Sequence, residues 1–168
     1  MKKMIGLFVS ALALAGCATS QGPPGNGQAS HREDCKPTSE QEIRGLFDRW
    51  NRSLDTHDPS KVVANYAERS VLLATAANEP LLTPGEKERY FETFLMNDPT
   101  AVIKFSFIEL GCNSAVDAGV YKFTYRASGT KVCARYTFTY RWNGSKWLIT
   151  SHHSSAMPKT PDPAVCMD

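Results

Sequence analysis

The sequence predicts an α+β domain, a curved antiparallel sheet with about three helices packed on one face. Three observations carry this. Apolar residues recur at helical spacing in the first half of the chain, the period falls to two from Val102 onward, and helices precede the run of strands.

The first helix opens at Thr38 and Ser39, which stand three residues before Gln41 and Glu42 and so offer two capping boxes. Ile43, Leu46, Phe47, Trp50 and Leu54 then line one face to about Thr56. Asp58-Pro59 is a cap followed by a first-turn proline, and it starts a short helix that turns Val62, Val63 and Tyr66 inward. Val71 to Ala74 forms a short strand, and Ala76 to Pro80 a turn. Thr83-Pro84-Gly85-Glu86 repeats the cap, proline and acid pattern, and opens a helix with Tyr90, Phe91, Phe94 and Leu95 on one side.

Strict alternation follows. Ile103, Phe105 and Phe107 share one face of their strand. Val116 to Gly119 turns the chain into Tyr121, Phe123 and Tyr125, and Ser128-Gly129 turns it again into Tyr136, Phe138 and Tyr140. Asn143-Gly144 is a hairpin signal, and Trp147 to Ser154 forms the last strand. No internal repeat or second domain is visible.

The ends of the chain carry an address. Lys2 and Lys3 precede an apolar run from Ile5 to Leu14, too short for a membrane span and suited to a removable signal, residues 1–16. Leu14-Ala15-Gly16-Cys17 resembles the bacterial lipobox, which implies lipidation of Cys17. Ala18 is not the aspartate that retains lipoproteins at the inner membrane, so the expected place is the outer membrane, facing the periplasm. The anchor and a Gly-, Pro- and Ser-rich tether occupy residues 17–34, the folded domain 35–158, and a proline-rich tail 159–168.

A net charge of +2, from 19 basic and 17 acidic residues, with no basic stripe, argues against a nucleic-acid partner. Beyond Cys17 the cysteines are Cys35, Cys112, Cys133 and Cys166, an even set that suits disulfides in an oxidising compartment. Cys112 and Cys133 fall on strands expected to flank a third, roughly 9–10 Å apart and too far to join. That leaves two of the three pairings open, and Cys35–Cys112 with Cys133–Cys166 is the one expected, with Cys35 ahead of the first helix and Cys166 in the tail free to reach partners. No Cys-x-x-Cys pair points to a metal, and no cofactor motif is present.

The order of elements, with Arg135-Tyr-Thr-Phe-Thr-Tyr and Trp147-Leu-Ile-Thr-Ser-His-His-Ser-Ser-Ala-Met-Pro158, resembles the NTF2-like superfamily. Within it, these segments are similar to the association domain of calcium/calmodulin-dependent protein kinase II and its free-standing bacterial relatives. Leu46-Phe47 and Trp50-Asn51 fit the same group. The resemblance implies a cone-shaped domain that associates with itself, as a homodimer or larger oligomer, through its outer sheet surface. It also implies a pocket inside the cone that accepts small carboxylates, with Arg135, His153 and Ser155 as the matching positions. The kinase domain and calmodulin-binding segment are absent from this sequence, so calmodulin is not an expected partner.

His152 and His153 are strand neighbours and point to opposite faces. Parity groups His153 with Trp147, Ile149 and Ser151, and the resemblance favours His153 as the inward histidine. Arg135 falls off the face of Tyr136, Phe138 and Tyr140, and enters the cone only if a bulge shifts the register. Asp48 and Asp55 are the acids of the first helix, with Asp48 off its apolar stripe, and no acid is placed to orient a histidine beside Ser154-Ser155. The expected function is thus a tethered binding or assembly module. The alternatives are an isomerase, cyclase or dehydratase with His153 as general base, and a purely structural envelope lipoprotein.

Overall fold

The computed structural model describes residues 34–157. The signal segment, the lipidation site Cys17, nearly all of the tether, Cys166 and the tail lie outside the described residues.

Eight elements form the domain: α1 (Glu40–Leu54), α2 (Pro59–Val63), β1 (Tyr66–Leu73), α3 (Pro84–Leu95), β2 (Pro99–Gly111), β3 (Ser114–Tyr125), β4 (Thr130–Trp142) and β5 (Trp147–Ala156). Ser39 caps α1 by accepting the Glu42 N–H, and Thr83 with Glu86 forms a reciprocal capping box on α3. The five strands make one sheet in the order β1-β5-β4-β3-β2. Four of them are antiparallel, as the hairpin signals imply. β1 adds to the free side of β5 in parallel, so the sheet is mixed. Tyr66, expected on the second helix, begins β1, and Val116–Gly119, expected as a turn, runs through the middle of β3.

One face of the sheet carries the core. Phe47 and Trp50 of α1 pack over Phe138 at ring-centroid distances of 6.3 and 5.7 Å. Arg49 fastens the same helix to the sheet, donating to the Trp147 carbonyl at 2.7 Å and to Asn65 Oδ1 at 3.0 Å. A disulfide joins Cys35, just ahead of α1, to Cys112 in the β2–β3 hairpin, with Cα atoms 4.8 Å apart. Cys133 is also disulfide-bonded. Among the described residues no helix is long and apolar enough to cross a membrane.

Two bulges decide what each face presents. On β2, Ile103 pairs with Tyr121 but Phe105 pairs with Val120, so Lys104 is an extra residue. Side-chain parity reverses there. Ala101 and Ile103 point to the core, whereas Phe105 and Phe107 point outward, 57 % and 59 % exposed. This corrects the expectation that Ile103, Phe105 and Phe107 share a face. On β5, Ile149 pairs with Tyr140 but Ser151 pairs with Thr139, which leaves Thr150 over. The Thr150 hydroxyl fixes the bulge by donating to the Thr139 carbonyl at 3.2 Å, with the two threonine hydroxyls 2.8 Å apart.

Candidate functional site

The β5 bulge sets which histidine enters the core. Trp147 and Ile149 face inward, but after Thr150 the parity flips, and His152 and Ser154 take the inner positions. His152 is 4 % exposed and His153 is exposed. The resemblance's expectation that His153 faces inward is therefore corrected: the bulge at Thr150 turns His152 to the core and His153 outward. Arg135 is likewise exposed on the outer face, its guanidinium 3.4 Å from the Ala156 carbonyl. Arg135 pairs with Ser155 and Thr137 with His153, so Arg135, His153 and Ser155 do gather, but on the outside of the sheet. Without a bulge beside Arg135, none of the three enters the cone.

His152 takes the central position instead. Its ring stacks on Phe138 at 4.1 Å and meets Trp50 edge-on at 5.3 Å. Its Nδ1 lies 2.8 Å from the Tyr66 hydroxyl, which in turn accepts the Trp50 indole N–H at 3.2 Å. Trp50 can only donate, so the tyrosine's own proton is left to give to Nδ1. The imidazole proton then resides on Nε2, which is buried and has no partner among the described residues. Burial pushes the imidazole pKa down to about 3, and the neighbouring His153 adds to the effect, so the ring is neutral at physiological pH.

Beside His152 lies a cavity of about 370 Å³, in the size range of small-ligand pockets. Its walls are mainly apolar and aromatic, from Trp50, Leu72, Phe91, Phe94 and Phe123. Ser154 adds a polar patch, accepting from the Tyr121 hydroxyl at 2.5 Å and lying 2.9 Å from the Thr75 hydroxyl. Burial raises the phenol of Tyr90 to about 12 and also raises those of Tyr121 and Tyr125, so all three stay protonated. The described lining residues include no Asp, Glu, Lys or Arg.

One inward acid escaped the sequence reading. Asp117 is 0 % exposed; its Oδ1 accepts from Ser106 at 2.7 Å and Tyr136 at 2.9 Å, while Oδ2 has no partner among the described residues. Burial raises its pKa against the pull of those two hydrogen bonds. A signal is present, because Asp117 shares parity with Tyr121 and Phe123, but Val116–Gly119 reads in the sequence as a turn. Asp117 is not among the described residues that line the cavity. Asp48 is exposed, and Asp55 is exposed and ion-paired with Arg126 at 2.8 Å. Among the described residues, no group of three or more His, Cys, Asp or Glu could hold a metal ion.

A mixed sheet curved around an aromatic core, with three helices on its inner face, defines an NTF2-like domain. The profile of the calcium/calmodulin dependent protein kinase II association domain matches residues 39–158. This chain belongs to that family. A crystal structure from Xanthomonas campestris, assigned to the same association domain, shares 45 % identity, with 74 % of this chain and 91 % of that one covered at a TM-score of 0.69. An NTF2-like protein of unknown function from Pseudomonas putida KT2440 is 18 % identical, with 75 % and 92 % covered and a TM-score of 0.64. A protein of the NTF2-like family from Streptomyces avermitilis, assigned as a dehydratase, is 11 % identical, with 71 % of this chain and 96 % of that one covered at a TM-score of 0.60. The last two show the fold alone. No curated protein matches the chain.

Proposed function

We propose that this protein is a lipid-anchored, self-associating module of the bacterial envelope whose cone holds a small molecule. The observation that carries the binding part is the cavity itself, mainly apolar in its walls and bordered by the buried His152. Family membership supports self-association, and the outer sheet face supplies a surface for it. Val102, Phe105 and Phe107 project there from β2, beside Val116, Ala118 and Val120 of β3. An exposed apolar band of this kind is a protein-contact surface in soluble domains. The Cys35–Cys112 disulfide supports an oxidising compartment, in keeping with the lipobox-like residues before Cys17.

An acid–base role inside the cone has weaker support. His153 lies outside it, and His152, with its lowered pKa, is a poor base. Two experiments test the proposal. Light scattering on the Phe105→Glu/Phe107→Glu variant is expected to give a smaller particle than the unaltered chain; equal masses would remove the outer face from the account. Cys17→Ser is expected to release the chain from the membrane fraction, and unchanged fractionation would remove the anchor.

A further inference from the structure

The cavity is graded from an apolar floor to an uncharged polar rim. Trp50, Phe91, Tyr121 and Phe123 are buried and form the floor, whereas Thr75, Thr93 and Asn97 are exposed and Tyr90, Tyr125 and Ser154 half-buried at its edge. Every polar side chain of that described rim is a hydroxyl or an amide, uncharged at physiological pH. These groups do not satisfy one another. Tyr121, Ser154 and Thr75 bring three O–H hydrogens to two contacts, at 2.5 and 2.9 Å. With Tyr121 donating to Ser154, one hydrogen stays free on Ser154 or Thr75, and a rotation of the two hydroxyls decides which carries it. The pair therefore offers a donor and unused lone pairs at one point of the rim. The phenols of Tyr90 and Tyr125 have no hydrogen-bond partner among the described residues.

We propose that the cavity takes an uncharged amphiphile, a compact apolar body ending in a hydroxyl group, with the body against the aromatic floor and the hydroxyl held by Thr75 and Ser154 at the rim. This rests on the reading of the chain as a binding module and departs from the carboxylate ligand that the family resemblance implies. The floor holds the body by apolar burial and ring contact. A ligand hydroxyl donates and accepts at once, so it uses both the free hydrogen and the lone pairs of the Thr75–Ser154 pair, whereas a carboxylate only accepts and an ammonium only donates. Either ion would also give up hydration with no opposite charge among the described lining residues to replace it.

The test uses four probes of nearly one shape: 3-phenylpropan-1-ol, butylbenzene, 3-phenylpropanoate and 3-phenylpropylamine. Binding is measured by equilibrium dialysis against vesicles carrying the full chain, with empty vesicles as the blank. The alcohol is expected to bind roughly tenfold tighter than either ion. Thr75→Val, nearly isosteric and at an exposed position, should weaken the alcohol roughly fivefold, a hydrogen bond's worth of affinity, and leave butylbenzene unchanged. Ser154→Ala should act in the same direction, and butylbenzene, which has no polar end, reports whether the cavity is intact in each variant. Tightest binding by either ion, or an alcohol that loses no more affinity than butylbenzene in both variants, would overturn the ligand class; butylbenzene bound to the unaltered chain would then leave a binding module in place. Binding of none of the four would overturn the binding-module reading as well.

Discussion

The Tyr66 hydroxyl stands 2.8 Å from Nδ1 of His152, joining the start of β1 to the far half of β5 through a buried hydrogen bond. These two strands pair in parallel, and Leu72 faces His152 in their register. The bond therefore fixes both the edge of the sheet and the tautomer of the histidine beside the cavity.

The protonation of His152 predicts an acid-sensitive fold. The folded pKa lies near 3, below the value of about 6.5 for a free imidazole. Between those values the unfolded chain binds a proton that the folded chain refuses, so stability falls as pH drops from about 6.5 toward 3. The slope from this group approaches ~1.4 kcal/mol per pH unit. Urea unfolding at pH 7.5, 5.5 and 4.5 should show a cost of His152→Phe that is largest at pH 7.5 and shrinks on acidification. A cost independent of pH would contradict the buried neutral ring.

Asp117 predicts the opposite sign. Burial raises its folded pKa above its unfolded value, so the fold loses stability as pH rises through that interval and stays lower above it. Asp117→Asn keeps an oxygen for Ser106 and Tyr136 and removes the charge. The Tm of the variant relative to the unaltered chain should therefore improve from pH 4 to pH 8. A constant difference would show that the carboxyl does not resist ionisation.

Gly119 should tolerate no side chain. A Cβ built there would lie 1.9 Å from the Phe105 carbonyl, where the β2 bulge leans against β3. Gly119→Ala is expected to cost about 3 kcal/mol by forcing the two strands apart. Gly45, inside α1 with nothing within 4 Å of its Cβ position, is the control. Its change to alanine should stabilise by about 1 kcal/mol through helix propensity. Chemical denaturation of both variants checks the pair.

These predictions also mark where sequence reasoning succeeds and where it stops. The helices were legible because Ile43, Phe47 and Trp50, and the Thr83–Glu86 box, are local signals that tertiary packing reinforces. Strand existence was legible from alternation. Strand facing was not, because a single extra residue at Lys104 and another at Thr150 reverse every later position. Neither residue has a composition that announces a bulge. The family resemblance points to Arg135, His153 and Ser155 for the pocket, and alternation alone does not say which face is inner, so nothing in the sequence singles out His152 as an inward residue, while Asp117 falls in a stretch that reads as a turn.

The Cys35–Cys112 bond closes a sequence separation of 77 residues. Replacing both cysteines by serine should lower stability by about 2–4 kcal/mol, chiefly by freeing the unfolded chain. The urea midpoint should fall accordingly. An unchanged midpoint would mean that the remaining contacts of Lys36 with Glu42, at 2.6 Å, hold the segment ahead of α1 by themselves.

Native mass spectrometry of the full chain released from mild detergent reads assembly and occupancy together. A dimer or larger oligomer carrying a small extra mass is the predicted result. A bare monomer at every protein concentration would contradict the account of a self-associating binding module.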